Sequence, residues 1–196
     1  MIEAILQKAA NAIYENVAPV SKSGGAVQLV SLRDGKRVYN VPAVPASADG
    51  SNQGNDYIAM IPADSESAVA FWQVLSTQVD SRQRVTAQQI PMLARARLVV
   101  WANKRRLSPP DIQAVLAECI RQVQAADLSE DWIQGINKTV VNIEQRDKGI
   151  FSEYGFDEVE NQYLTEPYDF ASALFDIQYT IMLTCLPEVS AVEPAC

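Results

Sequence analysis

The chain has 196 residues, with 16 basic and 24 acidic side chains and a net charge of −8 at neutral pH. Hydrophobic residues make up 48% and charged residues 20%, the balance of a soluble globular protein long enough to bury a core without metal or disulfide staples. There is no histidine, which excludes a Ser-His-Asp triad, a Cys-His pair, a His-ligated zinc and a histidine proton shuttle.

The expected elements follow in chain order. Ile2, Ile5, Leu6, Ala9, Ile13 and Val17 repeat with helical spacing, so a helix is expected over 2–17, ended by Pro19. Two β-rich runs, 26–32 and 37–44, flank Asp34-Gly35 and predict a hairpin. Pro42 and Pro45 mark the outgoing strand as an edge or as its end. The stretch 46–56 is rich in turn formers and lacks the GK[ST] of a phosphate loop, so it is expected to be a solvent loop or an arm ordered on assembly. A short strand is expected over 57–61. The run 68–79 fits a strand or a helix, and its β-branched and aromatic residues favour the strand.

The run 95–103 alternates cleanly. Ala94, Ala96, Leu98, Val100 and Ala102 point one way; Arg95, Arg97, Val99, Trp101 and Asn103 point the other. A helix follows over 108–128, with Ser108 as the expected N-cap and an apolar stripe of Ile112, Val115, Leu116, Cys119, Ile120 and Val123. A strand is expected over 136–145, an irregular acidic segment over 146–168, and a half-buried strand over 171–185. Together these predict an α+β fold: a mostly antiparallel β-sheet with two α-helices packed on one face. Residues 1–186 are expected to form one domain with loop insertions at 46–56 and 146–168, followed by a flexible tail over 187–196.

Function is constrained mainly by what is missing. The N-terminal segment lacks the basic and apolar regions of a signal peptide, and no run nears the ~18 apolar residues of a membrane span. No membrane partner is expected. Cys119, Cys185 and Cys196 form no CxxC pair, and no zinc site, other metal or cofactor is expected. Cys119 and Cys185 are expected to be small buried apolar residues, and Cys196 a free tail thiol. Close carboxylates occur at Asp64 and Glu66, Glu130 and Asp131, and Glu166 and Asp169. Acid–base chemistry needs such a pair at a defined separation in a cleft, and nothing singles one out. No catalytic residue is assigned and the chain is not expected to be an enzyme.

The basic cluster is the strongest constellation. Arg82 and Arg84 precede the 95–103 strand, Arg95, Arg97 and Trp101 share its polar face, and Lys104, Arg105 and Arg106 close it. Such a face could hold single-stranded nucleic acid by phosphate contacts and stacking, as a binding or regulatory module. It could equally be a solvated face, or pair with carboxylates of a neighbouring subunit. The net charge disfavours nucleic acid, and no sequence-specific nucleic-acid partner is expected. Asp157, Glu158 and Glu160 offer an acidic patch that could meet Arg95, Arg97, Trp101 and Arg105 of a neighbour in a head-to-tail ring. Tyr163, Pro167, Tyr168 and Phe170 are expected to plug the acidic segment onto the sheet.

The order of elements also resembles a known family. An N-terminal helix, an early strand pair, a strand like ARLVVWAN, a helix like PPDIQAVLAECIRQV, and Pro167-Tyr168-Asp169-Phe170 leading into a long last strand look like the tail-terminator or tail-completion proteins of tailed bacteriophages and related neck proteins. The resemblance implies a small α+β virion subunit, assembled in the host cytoplasm. It implies a homo-oligomeric ring, often a hexamer, that terminates the tail tube and joins it to the head connector and its adaptor proteins. It implies no catalytic residues.

Overall fold

The computed structural model describes residues 1–34, 37–45, 57–62, 64–108, 111–145, 148–151 and 166–185. The elements are helix α1 (Ile2–Asn16), strands β1 (Val20–Ala26), β2 (Gln28–Asp34), β3 (Arg37–Pro45), β4 (Tyr57–Ala59), β5 (Ala68–Val79) and β6 (Gln89–Asn103), helix α2 (Ile112–Ala125), and strands β7 (Ile133–Gln145) and β8 (Tyr168–Met182). Short 3-10 turns follow at Lys148–Phe151 and Leu183–Cys185.

A five-stranded sheet in the order β1-β5-β6-β8-β7 organises the molecule. All its pairings are antiparallel except β1 with β5, which run parallel. The fold is therefore α+β, as the sequence predicts. Strand β6 pairs with β8 from Gln89↔Met182 to Asn103↔Tyr168, along the full length of both. The alternation in β6 and β8 explains why both helices share one face of this sheet. Ala94, Ala96, Leu98, Val100 and Ala102 join Phe175, Ile177, Tyr179 and Ile181 in one buried cluster. The apolar stripes of α1 and α2 close over it, with Ile5, Leu6 and Ile13 from one and Val115, Leu116 and Cys119 from the other. Each such aliphatic side chain contributes roughly 1.5–3 kcal/mol by leaving water.

Two expectations need correction, and one alternative is decided. Helix α2 is capped by Asp111, not Ser108: its carboxylate accepts from the backbone N–H of Gln113 at 2.9 Å and of Ala114 at 3.3 Å. A cap at Ser108 would make Pro109 the first helical residue, and Pro110 after it disfavours helical backbone there. Of the two readings of the prolines in β3, edge or end, the end holds: Pro45 is its last residue, and β3 is the middle of a three-stranded sheet, β2-β3-β4. The predicted hairpin is present on either side of Asp34, with Gln28↔Ala43 to Asp34↔Arg37 in register. Cys185 is exposed rather than buried, whereas Cys119 is buried. Burial pushes the Cys119 thiol up to about 12.

Strand β1 has no counterpart among the sequence expectations. It passes under α1 at close quarters. A Cβ on Gly25 would lie 2.7 Å from Gln7 Oε1 and 3.2 Å from its Cα, and one on Gly24 would lie 2.7 Å from a Val44 methyl. Only glycine admits that approach. Residues 46–56, 152–165 and 186–196, and with them the expected loop, most of the acidic segment and the tail, lie outside the described residues.

Candidate functional site: the charged face of the large sheet

The face of the large sheet away from the helices has two parts. At one end Val69, Phe71, Val99, Trp101 and Phe170 form a second core with Val41 and Met60 from the small sheet and Ile150 and Phe151 from the 3-10 turn. Trp101 is fully buried there, its ring 4.7 Å from Phe151, which lies 4.8 Å from Phe170. Trp101 thus does not share an exposed face with the arginines. It follows Val99 into the apolar half of the strand and is not available to stack on a base.

The arginines occupy the other part, and each has a partner within the chain. Arg95 faces Asp176 across the β6–β8 ladder and donates from Nε and Nη2 at 2.7 and 3.0 Å. That guanidinium holds Asp176 below the usual carboxylate range. Arg97 Nε lies 3.1 Å from Glu144 Oε2 on β7, close enough for an ion pair though not aligned as a hydrogen bond. Arg97 Nη1 donates to Gln73 Oε1 at 3.4 Å, and Gln73 Nε2 donates to the Ile150 carbonyl at 3.0 Å. Ser172 Oγ donates to Glu144 Oε2 at 3.1 Å. A polar belt therefore crosses four strands where the second core ends.

The flanking cations are used in the same way. Arg82 clamps Asp80 with two hydrogen bonds and holds its carboxyl down to about 2. Lys104 Nζ sits 2.5 Å from Glu166 Oε1, and Arg106 Nε donates to the Asp64 carbonyl at 3.1 Å. Arg105 is exposed at the far end of β6, away from Arg95, and its side chain makes no ion pair with the described residues. Asp157, Glu158 and Glu160 lie outside the described residues. The candidate interface set is therefore dispersed: Arg95 and Arg97 are neighbours, Trp101 is core, and Arg105 stands apart.

The carboxylate pairs are dispersed too. Glu66 pairs with Lys22 at 2.6 Å, Glu130 with Lys8 at 2.8 Å, and Glu166 with Lys104. Asp64 accepts from the Tyr168 hydroxyl, and the buried Asp169 accepts from the Phe170 backbone N–H. Tyr168 and Phe170 are buried, as a plug requires; Tyr163 lies outside the described residues. Among the described residues no group of three acidic or cysteine side chains is placed to hold a metal ion, and no helix is long and apolar enough to cross a membrane. What these ion pairs and hydrogen bonds do is lock strands together.

The sequence reading missed a different feature, the two margins of the sheet. Val74, Leu75 and Val79 on β5, and Val141 and Ile143 on β7, are exposed. The signal was available in two uncharged β-branched runs, Val74–Val79 and Thr139–Ile143. The chain matches no protein-family model, and no curated protein matches it.

Proposed function

We propose that this chain is a virion structural protein at the head–tail junction of a tailed bacteriophage, resembling a tail terminator. It self-associates into a ring, a hexamer, that terminates the tail tube and meets the head connector. It acts by assembly and not by catalysis, and its place is the virion, built in the host cytoplasm. The observation that carries this reading is the layout. Helix α1, the β2–β3 hairpin, β6, α2 and β7 come in the order of the resemblance, and Pro167-Tyr168-Asp169-Phe170 turns directly into the 15-residue strand β8. A sheet with open margins on opposite sides also suits a subunit that repeats head to tail. The nucleic-acid reading loses its stacking platform with the burial of Trp101.

Light scattering over a concentration series, with negative-stain imaging, tests the proposal. A ring or a concentration-dependent oligomer that caps the tail tubes of the same virus is the expected result. A monomer at every concentration that never associates with tails or connectors overturns it.

A further inference from the structure

The two margins of the large sheet match one another. Strand β1 covers β5 only as far as Trp72, and among the described residues no strand pairs with β5 beyond it. On the opposite side, among the described residues, only β8 pairs with β7. Each margin carries a bulge, at Leu75 and at Val141, and both bulges lie in the row Val74–Ala96–Phe175–Val140. Leu75 is 45% exposed and Val141 50%, so each bulge turns an apolar side chain outward. Five of the ten large hydrophobic residues exposed among the described residues sit on these two strands. Neither 73–79 nor 139–143 contains a charged residue or a proline, the usual guards of a strand edge.

Strand direction and charge identify the occupant. From β5 to β7 the four strands alternate in direction, so β7 runs opposite to β5. A second copy stepping sideways in the same orientation continues the alternation as an antiparallel pair. In the turn over 80–88, at the β5 side, Arg82 is already clamped on Asp80, which leaves Arg84 as the charge without an ion pair among the described residues. In the turn over 127–131, before β7, Glu130 pairs with Lys8, which leaves Asp127 and Asp131 as the acids outside an ion pair among the described residues. Both turns stand at the same end of the sheet, where Ile90, Ile181 and Ile133 share a row. The same sideways step brings the basic turn of one copy beside the acidic turn of the next. A two-fold contact of β5 with β5 would leave the β7 margin bare; the head-to-tail contact covers both with one interface.

We propose that a second copy of this chain docks head to tail, the β5 margin (74–79) against the β7 margin (139–143), with the 80–88 turn facing the 127–131 turn. This rests on the self-association in the preceding subsection and names its surface.

Disulfide trapping tests it. Ser76→Cys and Thr139→Cys, exposed positions of one row and one face, are made separately in full-length chain with Cys185→Ser and Cys196→Ser, and the two are mixed with and without tail tubes. The expected product is a 76–139 dimer that neither variant forms alone. Arg84→Glu and Asp131→Arg are each expected to weaken association about threefold to tenfold, and to restore it when combined in one chain. Leu75→Lys or Val141→Lys is expected to abolish association while the circular dichroism spectrum and melting temperature stay as in wild type. An oligomer that yields a 76–76 product, or none, overturns this contact and leaves the ring standing. A chain that stays monomeric with and without tubes overturns both. An oligomer that traps 76–139 but ignores tail tubes sustains the contact and sinks the head–tail reading.

Discussion

The two faces of the large sheet are built from the same strands and end in different states. The helix face is one apolar layer, because every second residue from Ile90 to Ala102 in β6 and from Ala171 to Ile181 in β8 is aliphatic or aromatic and two amphipathic helices cover it. The opposite face changes character midway, at the belt of Glu144, Arg97 and Gln73. On one side of that belt a small sheet and a 3-10 turn bury Trp101; on the other, Arg95 and Asp176 meet in water. Alternation along a strand assigns a residue to a face. It does not say what covers that face, because the cover comes from segments far away in the chain.

The largest expected effect bears on whether the second core is a core or a decoration. Trp101→Ala is expected to lower stability by about 3–5 kcal/mol, close to the loss from Leu116→Ala on the helix face, about 2–5 kcal/mol. Urea midpoints at constant m value measure both. A Trp101→Ala loss below about 1 kcal/mol would make the small sheet a loosely held appendage. Next comes the belt. Arg97 and Glu144 keep only 17% and 19% of their side-chain surface. Removing Arg97 strands a largely covered carboxylate, so Arg97→Ala is expected to cost about 1–3 kcal/mol. Arg95→Ala, on a half-exposed side chain, is expected to cost less. Equal losses at the two positions would erase the distinction drawn between belt and outer ladder.

A smaller effect separates the two possible caps of α2. Asp111→Ala is expected to lose about 1 kcal/mol, whereas Ser108→Ala leaves the melting temperature unchanged. The smallest effect is in acid. Asp176 is held below its ordinary value of 3.8 by Arg95, and Glu118 is held down to about 2, from 4.5, by Arg121. Depressed carboxylates stabilise the fold above their unfolded pKa and lose that contribution as pH falls through the folded value. Stability should therefore decline between about pH 4 and pH 2, and Arg95→Gln should flatten the Asp176 share of that decline. Urea midpoints across this window for both proteins decide it; parallel curves would show that the ladder contributes nothing.

How much of this was legible depended on whether each feature is local. Helices α1 and α2 and strands β5, β6 and β8 are written in short-range periodicity, and the hairpin is written around Asp34-Gly35. Strand β1 is not, because its sequence VSKSGGA has no alternating apolar pattern. It is a strand because β5 offers a parallel partner and its glycines fit beneath α1. The N-cap was misplaced by three residues because Ser108 and Asp111 are both good caps, and what separates them is that Pro110 keeps Pro109 from being the first helical residue. The basic cluster was legible as charge, not as role. The partners Asp176, Glu144 and Glu166 lie far along the chain from the arginines and lysine they meet, so no local pattern couples them.

The position of β8 has a consequence for how the molecule is made. The last of the described strands to be synthesised lies inside the sheet, between β6 and β7. Until it leaves the ribosome, β6 has no neighbour on that side and β7 has none at all among the described strands. The nascent chain must hold two long open edges apart while residues 146–182 are being added. A pause in translation within that interval should send chains to aggregates instead of to folded subunits.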